Sequence, residues 1–323
     1  MRAMALLFFG VMIVPLILRA QKDDWYEKGV KATDPREQIE YFTKSIEIVG
    51  ANADAFFKRG LAKYFLEDIK GALSDYSKAI ELNPKNEGYY NARGNAYYDS
   101  KDYNNALNDY NKGIELNPHF AKAYVNKGWV KFHLGNYREA VLDCSKALEI
   151  DPQFSEGYNC RSVSYFFLKQ FDKYIDDVSK YIKLNPDDPE SYNNRGNGYL
   201  ILAKYDQAVA DFNKAIILKS DYSLAYSNLG YAYLQEGKTE LAVENLKQCL
   251  KINGKQFSAN INLAIIYYLK RNLQESIKYL DIAKSIEPRL SKGIEGIYGL
   301  EKDGYYWTVK DKETLKKIFV ELQ

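Results

Sequence analysis

Basic residues stand at Arg59, Arg93, Lys127, Arg161 and Arg195, evenly spaced along the chain. A row of cations at fixed spacing is a natural track for phosphate or acidic peptides. An acidic row runs beside it, at Asp75, Asp109, Asp143, Asp177 and Asp211, each at one fixed interval after its basic counterpart. Both rows end together. Where the next two members would stand, the chain has Leu229 and Leu263 in one row and Asn245 and Tyr279 in the other. Covariation of this kind inside one chain predicts that each base pairs with the acid of its own unit, as a brace rather than a ligand track. Pairing each Asp with the following base fits worse, because it sets Arg59 against Tyr41 and Asp211 against Leu229.

A third row is uncharged. Asn126, Asn194, Asn228 and Asn262 share one position of the period; Asn95 and Asn197 stand three places further on, and Asn91, Asn159 and Asn193 one place earlier. A carboxamide carries both donor and acceptor, so a row of them can hold an extended peptide backbone without reading its side chains. Asn is also a poor helix former, and its recurrence inside helices costs stability that a function would offset. A composition rich in Asn, Lys and Tyr would place it there with no function, and both readings stand. The candidate peptide-binding residues are Asn91, Asn95, Asn126, Asn159, Asn194, Asn197, Asn228 and Asn262.

Catalytic chemistry finds little support. His119 and His133 have no carboxylate or Cys neighbour at ligand spacing. Cys144, Cys160 and Cys249 form neither a CxxC nor a zinc pattern, and an odd count is no disulfide framework. The three read as buried or semi-buried thiols, with Cys160 turned toward the same face as the asparagines. No GxGxxG or P-loop occurs. The reading is a non-enzyme, with no catalytic residue, cofactor or metal site.

These rows must be carried by a repeating element. Small residues at Gly60, Gly94, Gly128, Ser162, Gly196, Gly230 and Ala264 mark seven units of equal length with no insertion. With the small residue at position 8, the units start at residues 53, 87, 121, 155, 189, 223 and 257. Positions 4, 8 and 11 fall on one face of a first helix, and positions 20, 24 and 27 on one face of a second. Small residues at 8, 20 and 27 let two backbones approach, and aromatics fill the space between. Pro84, Pro118, Pro152, Pro186 and Pro288 close the second helices. Repeat 4 departs from the pattern: Tyr174 and Tyr181 replace two small residues, which predicts altered packing or curvature there. The asparagines centre on positions 2, 6, 9 and 13, opposite the predicted core face.

Stretches such as YYNARGNAYYDSKDYNNALNDYNKGIELNP resemble the tetratricopeptide repeat, and the resemblance covers residues 53–290. It implies an all-α fold, a right-handed superhelical solenoid of helix-turn-helix repeats, with the Asn stripe on its concave surface. Similar rows occur in the repeat region of O-linked N-acetylglucosamine transferases, where they grip peptide backbone. The family's carboxylate clamp needs cations that are missing: Asn91, Asn95 and Asn126 lead to Glu156 and Cys160, while Asn193, Asn197 and Asn228 lead to Ser258 and Asn262.

Residues 22–52 resemble a degenerate extra unit whose link near Asp34-Pro35 is about three residues short, and residues 291–323 read as C-terminal capping helices. Residues 1–20, MRAMALLFFGVMIVPLILRA, suit a cleaved signal peptide; an uncleaved anchor is the alternative. Either places the body outside the cytoplasm, in the periplasm or envelope of a bacterium, with the membrane met only through residues 1–20. Without that segment the 323-residue chain balances 43 basic against 43 acidic residues, which argues against nucleic acid. The expected partner is a protein or peptide. Three roles remain open: a scaffold that captures a peptide or helix in the groove, a structural adaptor of an envelope or secretion assembly using its convex face or caps, and an accessory to a separate enzyme.

Overall fold

The computed structural model describes residues 25–50, 52–302 and 308–321, and among these every regular element is a helix. The signal-like segment lies outside the described residues. The repeating frame is filled by helix pairs: Ala53–Phe65 with Ile69–Leu82, Glu87–Asp99 with Tyr103–Leu116, Ala121–His133 with Tyr137–Ile150, and Ser155–Phe167 with Phe171–Leu184. Repeats 5 to 7 follow as Pro189–Ile201 with Tyr205–Leu218, Ser223–Gln235 with Thr239–Ile252, and Phe257–Leu269 with Leu273–Ile286. By compactness the chain divides into two units, residues 1–168 and 169–323, with the division between the helices of repeat 4.

The position-8 glycines are needed because the side chain at position 24 lies on them. A Cβ on Gly60 would stand 2.7 Å from Tyr76, on Gly94 2.6 Å from Tyr110, on Gly196 2.6 Å from Phe212, and on Gly230 2.7 Å from Leu246. Contacts that short do not occur, so any larger residue must displace the ring or branch facing it. Gly29 meets Phe42 in the same way, at 2.7 Å. Gly29 and Phe42 are closer in sequence than Gly60 and Tyr76, so the short link ahead of the helix Pro35–Val49 leaves the packing motif intact.

The buried face of the first helices is wider than positions 4, 8 and 11. Position 11 is nowhere buried, whereas positions 3 (Ala55, Tyr89, Ala123, Gly157, Ser191, Ala225, Ala259) and 10 (Ala62, Ala96, Val130, Ser164, Gly198, Ala232, Ile266) are buried throughout. The cause is a second neighbour. Within each unit a first helix packs on its own second helix and also on the second helix of the preceding repeat, as Gly157 does on Leu148. Repeat 4 shows the predicted change in packing. Tyr174 is buried against Gly198, where other repeats carry a larger residue, and its hydroxyl donates to the Asn194 carbonyl at 2.7 Å.

Every turn between paired helices passes through the left-handed region at position 15. Gly135 and Gly237 adopt it at φ 78° and 76°, and so do Glu67, Lys101, Lys169, Ala203 and Arg271 at φ 54° to 62°. In repeat 2 the turn is closed by Lys101 N–H to Tyr98 O and Asp102 N–H to Tyr97 O, both 2.8 Å.

After repeat 7 the chain forms a short 3-10 turn, Pro288–Lys292, and two helices, Ile294–Lys302 and Val309–Glu321. They share one apolar cluster with repeats 6 and 7, to which Leu290, Ile297, Leu300, Leu315, Ile318 and Phe319 contribute.

Candidate functional site

The charged rows form braces. Arg59 grips Asp75 through Nε (2.9 Å) and Nη2 (2.7 Å), Arg93 grips Asp109 at 2.8 Å through both, and Arg195 grips Asp211 at 2.7 Å through both. Lys127 reaches Asp143 at 3.1 Å. The third arm of each guanidinium crosses to the preceding repeat. Nη1 donates at 3.1 Å to Thr43 from Arg59, to Ser77 from Arg93, to Ser145 from Arg161 and to Ser179 from Arg195. Arg59, Arg93 and Arg195 therefore each tie one helix pair together and stitch it to the pair before. The hydroxyl row at position 25 was not expected from the sequence, although Ser77, Ser145 and Ser179 keep the same period. Lysine makes a poorer brace. Burial raises the Asp143 pKa above the usual carboxylate value, and the nearby Lys127 charge only partly opposes it. In repeats 6 and 7 the buried Leu229 and Leu263 take the place of the base.

The asparagines divide into groups. In the N-terminal unit Asn126 donates both Nδ2 hydrogens, to Asn91 Oδ1 at 2.9 Å and to Asn95 Oδ1 at 3.0 Å. Asn95 Oδ1 also accepts from the Tyr110 hydroxyl at 2.8 Å. In the C-terminal unit Asn228 donates to Asn193 at 2.9 Å. Asn159 and Asn194 are exposed and Asn197 is half-buried. Two candidates do not lie on an open face as expected: Asn91 is buried beneath Asn126, and Asn262 is buried in the packed end of the C-terminal unit. Asn91 sits at position 5, on the flank where successive first helices meet, so the next repeat covers it.

Asn95 and Asn126 belong to a cavity of about 390 Å³ on the first-helix face of the N-terminal unit. Its walls are Tyr64 from repeat 1, Asn95, Tyr98, Asp99 and Tyr110 from repeat 2, and Asn126, Trp129 and His133 from repeat 3. The volume is that of a small-ligand or side-chain pocket. Helical spacing assembles it: positions 9, 12 and 13 of one first helix face positions 6, 9 and 13 of the next. The rings support one another, with His133 5.6 Å from Tyr98, 6.5 Å from Trp129, and stacked on Tyr103 at 6.2 Å. The Tyr64 hydroxyl donates to Asp99. Burial raises the pKa of Tyr64, Tyr98 and Tyr110, and the Asp99 charge adds to the shift at each. Only the asparagines of this site were singled out in the sequence. Aromatic and acidic residues beside them at positions 12 and 13 were the signal that could have found the rest.

In the C-terminal unit the corresponding face is occupied by the chain itself. Asp311, buried in the helix Val309–Glu321, accepts from the Tyr231 hydroxyl at 2.8 Å and from Gln235 Nε2 at 3.2 Å. Tyr231 and Gln235 stand at positions 9 and 13 of repeat 6, the positions that line the open cavity of the other unit. The same carboxylate accepts from Thr308 N–H and hydroxyl, while the hydroxyl accepts from Asp311 N–H, a capping box that starts the helix. Leu315, Ile318 and Phe319 are then buried, and Ile265 at position 9 of repeat 7 is buried with them.

The thiol reading needs correction. Cys144 and Cys160 form a disulfide between repeats 3 and 4, with Cα atoms 6.1 Å apart. Cys160 is fully buried and does not face the open side, because its sulfur is bonded to Cys144 on the second helix of the preceding repeat. Cys249 is a buried free thiol whose pKa burial pushes up to about 12, which keeps it unreactive. Among the described residues no group of three or more His, Cys, Asp or Glu is placed to hold a metal ion, and no helix is long and apolar enough to cross a membrane.

Tetratricopeptide repeat models match residues 121–154, 179–210 and 224–256, and a TPR repeat model matches residues 64–101, 94–135 and 196–237. Together these span more than half of the chain. No curated protein matches it. Among solved structures, the C-terminal part of a TPR repeat-containing protein from Cytophaga hutchinsonii is 20% identical with a TM-score of 0.60, covering 74% of this chain and 98% of its own. A tetratricopeptide repeat protein from Parabacteroides merdae is 21% identical with a TM-score of 0.55, covering 79% and 98%. YrrB, described as a TPR protein with an unusual peptide-binding site, is 24% identical with a TM-score of 0.52, covering 57% and 95%. At these identities the likeness is one of fold.

Proposed function

Because the chain belongs to the tetratricopeptide repeat family, whose members are generally non-enzymatic interaction scaffolds, we propose that it captures an extended segment of a partner protein on the concave face of its N-terminal unit. The observation that carries this reading is the amide cluster at the mouth of the cavity. Asn126 spends its hydrogens on Asn91 and Asn95 and so offers its carbonyl outward; Asn95 has its carbonyl taken and so offers its hydrogens. A donor and an acceptor side by side match the N–H and C=O of one peptide unit. The cavity beside them accepts one side chain of the same segment.

The adaptor alternative has less behind it. Leu142 and Ile217, the most exposed large apolar residues on second helices, belong to different repeats. The scaffold works outside the cytoplasm. The leader-like residues 1–20 and the Cys144–Cys160 disulfide both suit an oxidising compartment.

Selection of binders from a random peptide display library, followed by hydrogen-exchange mapping, tests the groove. Selected peptides should protect the first helices of repeats 1 to 3, and Asn126→Ala should weaken them about tenfold, near 1.4 kcal/mol for a lost pair of hydrogen bonds. Peptides that map to the second helices, or that bind Asn126→Ala unchanged, would overturn the proposal.

A further inference from the structure

The cavity of the N-terminal unit has a chemical bias that the amide cluster does not explain. Among its lining residues Asp99 is the only carboxylate, and there is no Lys or Arg. Asp99 is exposed to the cavity, and the Tyr64 hydroxyl engages one of its oxygens, which fixes the carboxylate while leaving other lone pairs open. Around it stand the faces and edges of Tyr64, Tyr98, Trp129 and His133. Tyr98 and Trp129 are held in place by their contacts with His133 and, for Tyr98, by Tyr103 at 6.0 Å. Aromatic faces attract a cation through their quadrupoles, Trp most strongly, and a carboxylate at the edge supplies a counter-charge. An anionic side chain would meet the Asp99 charge and the electron-rich rings with no Lys or Arg in the lining to offset them. A purely apolar one would strip water from Asp99 and return nothing.

The charge complementarity points to one occupant: we propose that the cavity is a subsite for a basic side chain, the ammonium of Lys or the guanidinium of Arg, of the partner segment. The inference rests on the groove reading above and names the partner's chemistry. The amides hold the backbone of the segment in register, the aliphatic stem lies along Tyr98 and Trp129, and the cationic head reaches Asp99. Recognition therefore selects a basic residue at one position of an otherwise loosely read peptide.

The test uses fluorescein-labelled dodecapeptides of Ser, Ala and Gly that carry Lys, Arg, Gln, Leu or Glu at the centre, read by anisotropy on the full chain. The Lys and Arg peptides should bind at least tenfold tighter than the Gln and Leu peptides, and the Glu peptide weakest. Asp99→Asn keeps an acceptor for Tyr64, so the pocket keeps its shape, and it should bring the Lys and Arg peptides to the level of the Gln peptide. Asn126→Ala should weaken all five by a similar factor. Circular dichroism unchanged between variants confirms that each is folded. If all five bind alike, with Asn126→Ala harmful and Asp99→Asn silent, the basic subsite is wrong and the groove stands. If none binds to either protein, the groove and the subsite fall together.

Discussion

The first-helix faces of the two units present the same repeat positions in opposite states. In the N-terminal unit positions 9 and 13 carry Asn95, Asp99, Trp129 and His133, and they enclose a cavity. In the C-terminal unit positions 9 and 13 carry Tyr231, Gln235 and Ile265, and the chain's own helix Val309–Glu321 lies against them. The frame does not decide which state occurs, since glycine at position 8 and small residues at positions 3 and 10 recur in both units. The side chains of the inner stripe decide it. A tyrosine and a glutamine that donate to a buried carboxylate, with isoleucine beyond them, are satisfied inside the molecule. Asn95, Asn126 and Asp99 bond to their neighbours around a cavity that no described segment of the chain fills. The cores differ in the same sense. In the N-terminal unit the described clusters are small and local, such as Ala72, Tyr76 and Ala96, whereas repeats 6 and 7 share one large cluster with the terminal helices.

Ending the chain after Lys302 would break the comparison most severely. It uncovers what Leu315, Ile318 and Phe319 bury, a loss of roughly 5–9 kcal/mol at about 1.5–3 kcal/mol for each fully buried side chain. Urea unfolding should show the C-terminal unit melting early and binding a hydrophobic dye, with peptide binding by the N-terminal unit unchanged. A middle-sized effect is expected at the brace. Arg195→Leu leaves Asp211 buried without its partner and should cost about 3–5 kcal/mol, and adding Asp211→Asn should recover most of it. That double variant recreates Leu229 with Asn245 from repeat 6, so if it is no better than Arg195→Leu alone, the two kinds of brace are not interchangeable. The smallest effect separates the units by redox chemistry. Reducing Cys144–Cys160, which closes a 16-residue separation, should cost about 3 kcal/mol by the loop-closure argument. Hydrogen exchange should then rise around residues 137–167 and stay constant around residues 205–252.

Much of the frame could be read from residue types alone, because its causes are local and recur. A glycine facing a ring on the paired helix, or an arginine facing an aspartate at the same interval, leaves a trace in unit after unit, and the charged pair vanishes from both positions together. What escaped reading arises between successive repeats, or between a repeat and the terminal segment, rather than within one helix pair. Positions 3 and 10 are buried by the preceding repeat, a neighbour that a single helical wheel does not contain. Cys144 and Cys160 occupy positions 24 and 6 of successive repeats, and no other such pair carries two cysteines, so the sequence holds no second instance of their meeting. Asp311 finds Tyr231 far back along the chain, through a fold-back that only the terminal segment makes. For the site, the amide row was visible, but the burial of Asn91 and Asn262 and the ring wall of the cavity depend on which side chains cover one another.

The turns at position 15 carry a consequence of their own. Five of them hold Glu67, Lys101, Lys169, Ala203 and Arg271 in a conformation that disfavours any Cβ, at about 1 kcal/mol each. In a linear stack such costs are felt mainly by the adjacent pairs of helices. The molecule thus holds a set of separate thermal dials. Glycine at residues 67 and 101 would raise the heat tolerance of the region around the open cavity, and glycine at residues 203 and 271 that of the self-filled region, with no change to any surface that meets a partner.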